Sequence, residues 1–271
     1  MVEADGQLVI QIRGIAIVRK TLVVSGGTRG IGRAIVEEFA SNGVDVAFTY
    51  HTNIQIAEEM ISELSERYGV KLQAYFLDIL EPESYKNLFN EIDKDFGRID
   101  YFISNAIISG RSVVGGFASF MRLKPKGLMN IYTATVLSFV VGAQEAAKRM
   151  ETVGGGAIIS LSSTGNLFYT PNYSGHGNSK AAVETMVKYA SHELGAKRIR
   201  VNAVSGGPID TDALRKFPNY AEVRDEIVSR SPLARMGAPK DLSGLCYFLT
   251  TEKASWITGQ TFIVDGGTTF A

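Results

Sequence analysis

The sequence predicts a single α/β domain built on a doubly wound, seven-stranded parallel sheet with helices on both faces, and three observations carry that expectation. Apolar, β-branched runs of strand length alternate with amphipathic stretches of helical length along nearly all 271 residues. Several runs are apolar throughout, as strands covered on both sides must be. No repeat, low-complexity tract or long Pro/Gly/Ser linker divides the chain, whose length suits one large domain with a sizeable core.

The strands expected in order are TLVVSGG from Thr21, VDVAFTY from Val44, LQAYFLDI from Leu72, DYFISNA from Asp100, AIISLSS from Ala157, IRVNAVSGG from Ile199 and QTFIVDGG from Gln260. Helices between them make right-handed crossovers. Residues 1–19 start acidic, and Gln11 and Arg13 break their apolar run, so they read as neither a secretory signal nor a membrane span. They are expected to precede the domain of residues 20–271, as a stray strand, a partner-contacting arm or an upstream extension.

Charge balances at 28 basic against 28 acidic residues, which argues against nucleic acid or an anionic membrane as the main partner. A single cysteine, Cys246, excludes an internal disulfide and suits the reducing cytoplasm. No metal site is expected.

VVSGGTRGIGRAIVEEFA places Gly26, Gly30 and Gly32 where the first core strand turns into the first helix. Glycine there lets backbone N–H groups, including those around Thr28, Arg29 and Ile31, approach a pyrophosphate at the helix N-terminus, the mark of a Rossmann-type dinucleotide site. The second strand ends in Tyr50 and His51, with no acid to hold ribose hydroxyls. Arg29 stands ready to meet a 2′-phosphate as a charge-assisted donor. NADPH is therefore the expected cofactor, against the alternative of Arg29 as a solvated loop cation.

NYSGHGNSK, residues 172–180, sets the chemical question. Lys180 has His176 four residues before it and Tyr173 seven before it. On a helix both positions lie within about 40° of the lysine's azimuth, and the farther one is displaced by about 4.5 Å along the axis. A donor moved along the helix suits an enolate oxygen two carbons from the site of hydride delivery. Gly175 and Gly177 weigh against a helix reaching back to Tyr173, each by about 1 kcal/mol. Two glycines beside His176 also offer little to hold an imidazole. Histidine as general acid of a carbonyl reductase is the competing reading.

From Lys20 to Thr269 the chain resembles the short-chain dehydrogenase/reductase family, on the Gly-x3-Gly-x-Gly loop, SNA at Ser104, Asn105 and Ala106, RVNAVSGGPIDT and GQTFIVDGG. The longer Tyr-x6-Lys spacing and VNAVSGGPIDTDALRKFPN resemble its enoyl-acyl-carrier-protein reductase III branch, which uses NADPH. The resemblance implies adenine contacts from Asp78 and Ile79, cofactor contacts from Asn105, Ala106, Ile209 and Thr211, and Lys180 on the nicotinamide ribose, its charge lowering the Tyr173 pKa. It makes Tyr173, Lys180 and Ser162 the catalytic set, Ser162 matching the hydroxyl position better than Ser163. Ile107 replaces the usual final glycine after strand four, and Thr135 falls where carbonyl reductases place asparagine, on a helix counted from Thr133. A lid around 208–237, with Leu214, Phe217 and Met236, is expected over an acyl chain. Arg122, Lys124, Lys126, Arg215 and Lys216 offer charge to an acyl carrier protein. A homotetramer packed through helices at 119–150 and 173–195 is implied. The expected activity is reduction of a trans-2-enoyl thioester on acyl carrier protein. The alternatives are a 3-oxoacyl or general carbonyl reductase and a non-catalytic NADPH-binding regulator.

Overall fold

The computed structural model describes every residue except 1, 5, 6, 13, 14, 109–115, 117, 216–219 and 271, with side-chain surroundings given from residue 18 onward, residue 213 excepted. Residues 1–19 hold a small antiparallel sheet of β1 (Val2–Ala4), β2 (Gln7–Ile12) and β3 (Ile15–Val18). Among the described residues it shares no strand pairing with the main sheet. The main strands are β4 (Thr21–Val24), β5 (Asp45–Tyr50), β6 (Leu72–Phe76), β7 (Tyr101–Ser104), β8 (Gly156–Ser163), β9 (Ile199–Gly206) and β10 (Thr261–Val264). All seven expected strands are present. They pair in parallel in the order β10-β9-β8-β7-β4-β5-β6.

Alternation along the strands splits the core into two layers. Leu22 and Val24 of β4 face one cluster with Val46, Phe48 and Ile159. Val23, between them, faces the other with Ala47, Phe102 and Ile158. Helices α1 (Gly30–Ser41), α2 (Ile54–Tyr68) and α9 (Pro239–Thr250) supply Phe39, Leu64 and Leu249 to the first layer. The second takes Phe89 from α3 (Ser84–Phe96), Phe139 from α5 (Ser138–Thr152) and Val187 from α6 (Ser174–Leu194).

α4 (Pro125–Tyr132) runs into α5 through one π-helical turn, Thr133–Leu137. The helix therefore begins eight residues before Thr133, the start counted from sequence. The whole stretch Pro125–Thr152 is long and apolar enough to cross a membrane by length and composition. Its apolarity has a packing cause: Ile131, Val136, Phe139 and Met150 are almost fully buried within the fold.

Candidate active site

β4 leads outward to β5 and β6, while β7 starts the opposite half, so the sheet reverses direction between the carboxyl ends of β4 and β7. Ligands of doubly wound sheets sit at such a reversal. Gly26, with φ of 72°, lies there so close to the loop after β7 that a Cβ would stand 3.1 Å from Ala106 Cα. Gly32 is tighter still, since a Cβ would fall on the Gly26 carbonyl. The Ser25 hydroxyl accepts from the N–H groups of Asn105 and Ala106, and Asn105 Nδ2 donates to the carbonyls of Ser25 and Gly26 at 3.0 and 2.9 Å. Thr49 completes the cradle, its hydroxyl accepting from Gly26 N–H and its carbonyl from Gly27 N–H. Ser25 and Thr49 escaped sequence reasoning; the position of Ser25 directly before the glycine pair was the available signal.

Arg29 is the N-cap of α1, extended and without a side-chain cap bond, which leaves the first-turn N–H groups of Gly30, Ile31 and Gly32 directed at an incoming anion. Its side chain is exposed beside half-buried Thr28 and forms no ion pair with any described residue. His51 stacks on Phe76, rings 5.7 Å apart, with Nε2 3.7 Å from Asp78 Oδ2. Tyr50 meets the same phenylalanine edge-on. Ile79 packs near Ile108 and Ile131. Across the loop, Thr211 Cγ2 would lie 3.7 Å from a Cβ on Gly30, and Ile209 bridges to Gly237. Phe48, Asn105, Ala106 and Thr211 thus border the glycine loop from three separate segments. The cradle fits a dinucleotide: glycines open its floor, and helix N–H groups and a guanidinium border it.

The second half of the site forms where α6 meets β8. Asn172 adopts a left-handed φ of 61°, which asparagine tolerates, and turns the chain into Tyr173, the N-cap of α6. Gly177 N–H closes the first helical bond onto the Tyr173 carbonyl at 2.8 Å. The two glycines do not unwind the helix, because they serve close approach. A Cβ on Gly175 would meet the Gly116 carbonyl at 2.9 Å, and one on Gly177 the Gly165 carbonyl at 2.7 Å.

Lys180 is buried and its Nζ donates to the Leu161 carbonyl at 2.6 Å. Burial pushes its pKa down to about 8, with Glu184 acting in the opposite sense. Tyr173 lies against Gly165, where a Cβ would collide with its ring at 2.5 Å. The Ser163 hydroxyl borders Gly165 on the same side, and its effect is to lower the phenol pKa.

Three sequence expectations are corrected here. Ser163, not Ser162, reaches Tyr173; successive residues of an extended strand point apart, and the Ser162 hydroxyl donates to Glu184 Oε1 at 2.5 Å. Burial raises the Tyr173 pKa, with the Ser163 hydroxyl acting in the opposite sense, so the net shift is upward where a lowering by Lys180 was expected. His176 is firmly held: it is 2% exposed and stacks on Tyr173 with ring centroids 5.4 Å apart. Burial first, and then the Lys180 charge, lower its pKa to about 4. At neutral pH that imidazole is uncharged, which removes the imidazolium donor a histidine mechanism needs.

Thr135 occupies the π turn, buried, with its Oγ1 lacking a hydrogen-bond partner among the described residues. π turns recur at functional sites. Arg122, Lys124 and Lys126 are exposed beside exposed Phe120 and Met121. Arg215 is engaged instead, giving Asp210 two bonds of 2.8 Å that Tyr220 joins at 3.0 Å. This network ties α7 (Asp212–Arg215) and α8 (Tyr220–Arg230) to the segment after β9. Leu214 and Met236 are half-buried there; Lys216 and Phe217 lie outside the described residues.

Because Gly165 seats the phenol, Gly165→Ala is expected to displace Tyr173 and lower kcat by about 100-fold with dinucleotide affinity kept. Turnover and cofactor titration check it; an unchanged kcat would place the working ring elsewhere.

A family model described as Enoyl-(Acyl carrier protein) reductase matches residues 26–269. The chain belongs to the short-chain dehydrogenase/reductase family, and it is an oxidoreductase of that family. It is 36% identical to 1-cyclohexenylcarbonyl-CoA reductase of Streptomyces collinus, over 92% of this chain and 86% of the relative. With 3-oxoacyl-acyl-carrier-protein reductase of Staphylococcus aureus it shares 31% identity, over 92% and 97%. The solved structure of ElxO with NADP bound superposes with a TM-score of 0.84 at 30% identity, covering 94% of this chain and all of that one.

Proposed function

We propose that the chain is a cytoplasmic, NADPH-dependent reductase of trans-2-enoyl thioesters carried on acyl carrier protein, working as a homotetramer. The observation that carries this reading is that Tyr173, seven residues before Lys180, caps the helix that holds the lysine, its ring seated against Gly165 and the ammonium on the Leu161 carbonyl, while the intervening His176 is neutral and buried. NADPH, when bound, supplies the hydride that goes to Cβ. The Tyr173 hydroxyl donates to the thioester oxygen as negative charge collects there, and Ser163 orients that hydroxyl. Lys180, fixed by its carbonyl bond, presents a cation on the ribose side. The segment around Ile209 and Thr211 with α7 and α8 closes over the acyl chain and excludes water. Exposed Met186 and Tyr189 on α6 and exposed Trp256 support burial against further copies, and the cluster at Arg122, Lys124 and Lys126 suits an acidic carrier.

The 3-oxoacyl reductase relative keeps a carbonyl-reducing alternative in view. Purified protein with NADPH should oxidise the cofactor on crotonyl thioester. Turnover of acetoacetyl thioester alone would overturn the reading, and NADPH binding without turnover of either would make the chain a regulator. Arg29→Ala is expected to weaken NADPH binding by about 10- to 100-fold and to leave NADH binding unchanged, as fluorescence titration would measure; equal losses for both would remove Arg29 from the 2′-phosphate.

A further inference from the structure

Two hydrogen bonds tie α6 to the end of β8. Lys180 Nζ donates to the Leu161 carbonyl. One helical turn further on, half-buried Glu184 accepts from the hydroxyl of the next strand residue, Ser162, at 2.5 Å. Side chains four apart share a helix face, so adjacent strand residues are gripped by neighbours on one face. Ser163, which reaches the Tyr173 phenol, follows directly. We propose that Glu184 is a positioning residue for the reaction, fixing through Ser162 the strand end that carries Ser163 and setting a carboxylate one turn from the Lys180 ammonium. This rests on Lys180 being the cofactor-facing lysine.

The need is physical. A buried ammonium held only by a carbonyl is driven towards its neutral form, and Glu184 is the group that opposes this at Lys180. The elements packed on α6 offer no substitute among the described residues. On α6 itself the nearby titratable groups are neutral His176 and Tyr173. Arg200 of β9 donates to the carbonyls of Leu249 and Thr251, and Glu145 of α5 is taken by Lys148 and Arg149. α4 adds Lys126 and Tyr132 and carries no carboxylate. The π turn and the turn Thr164–Asn166 carry no titratable side chain.

The test is NADPH fluorescence titration of the full chain across pH, run beside crotonyl thioester turnover. Glu184→Gln keeps an acceptor for Ser162 and removes the charge; the alkaline midpoint of binding is expected to move down by about half to one pH unit. Ser162→Ala keeps the carboxylate; the midpoint is expected to stay while kcat falls about threefold to tenfold. Glu184→Asp should restore the wild-type midpoint. A Glu184→Gln midpoint equal to wild type overturns the proposal. Should that variant not fold, Ser162→Ala decides: unchanged kcat overturns it, and a fall at constant midpoint supports it. Wild-type protein that binds no NADPH would sink the reading of Lys180 itself, a result independent of both variants.

Discussion

Tyr173→Phe is expected to lower kcat on a trans-2-enoyl thioester by about 100- to 1,000-fold and to leave NADPH affinity within about twofold. The phenylalanine keeps the ring against Gly165 and the stack on His176, and removes the hydroxyl that faces Ser163. Single-turnover kinetics with saturating NADPH read the chemical step directly. A variant as fast as wild type would move proton donation to another group, and His176→Phe would then be the informative replacement.

Lys180 governs the second large effect. Its pKa lies near 8 because burial disfavours the ammonium. The charged form is present below that value and lost above it, so turnover is expected to decline as pH rises through about 8. Lys180→Met should reduce kcat/KM by about 100-fold or more and flatten what remains between about pH 7 and 9. The same shift has the opposite sign for stability. Between about 8 and the unfolded value of about 10.4 the unfolded chain binds the extra proton, so this residue's contribution to stability increases with pH over that window. Falling turnover with a steady or rising Tm would therefore mark Lys180 titration, whereas parallel loss of both would mark unfolding.

Much of this was legible in the sequence because it rests on local rules. Strand runs such as Leu22–Val24 declare themselves by composition, and Gly26 and Gly32 by the backbone approach they permit. Lys180 and Tyr173 follow from helical spacing. What was not legible depends on contacts between segments. Counting back from Gly165 favours Ser162, yet the pleat of β8 hands the phenol to Ser163 and Ser162 to Glu184, 22 residues away. Glycines flanking His176 read as looseness, whereas they admit α4 and the Gly165 turn and so wall the imidazole in. Arg215 reads as a free cation until Asp210 is seen five residues before it. The antiparallel pairing of β1, β2 and β3 was likewise not legible in the composition of residues 1–19.

The π turn at Thr133–Leu137 acts as a phase shifter within a single long rod. One surplus residue rotates everything before it by about 100°, which lets Leu128 and Ile131 look towards Gly175 while Phe139 and Met150 look into the sheet. Deleting one residue there would straighten the rod, swing Pro125–Tyr132 off the amino end of α6 and leave Gly175 without its neighbours Leu128 and Ile131.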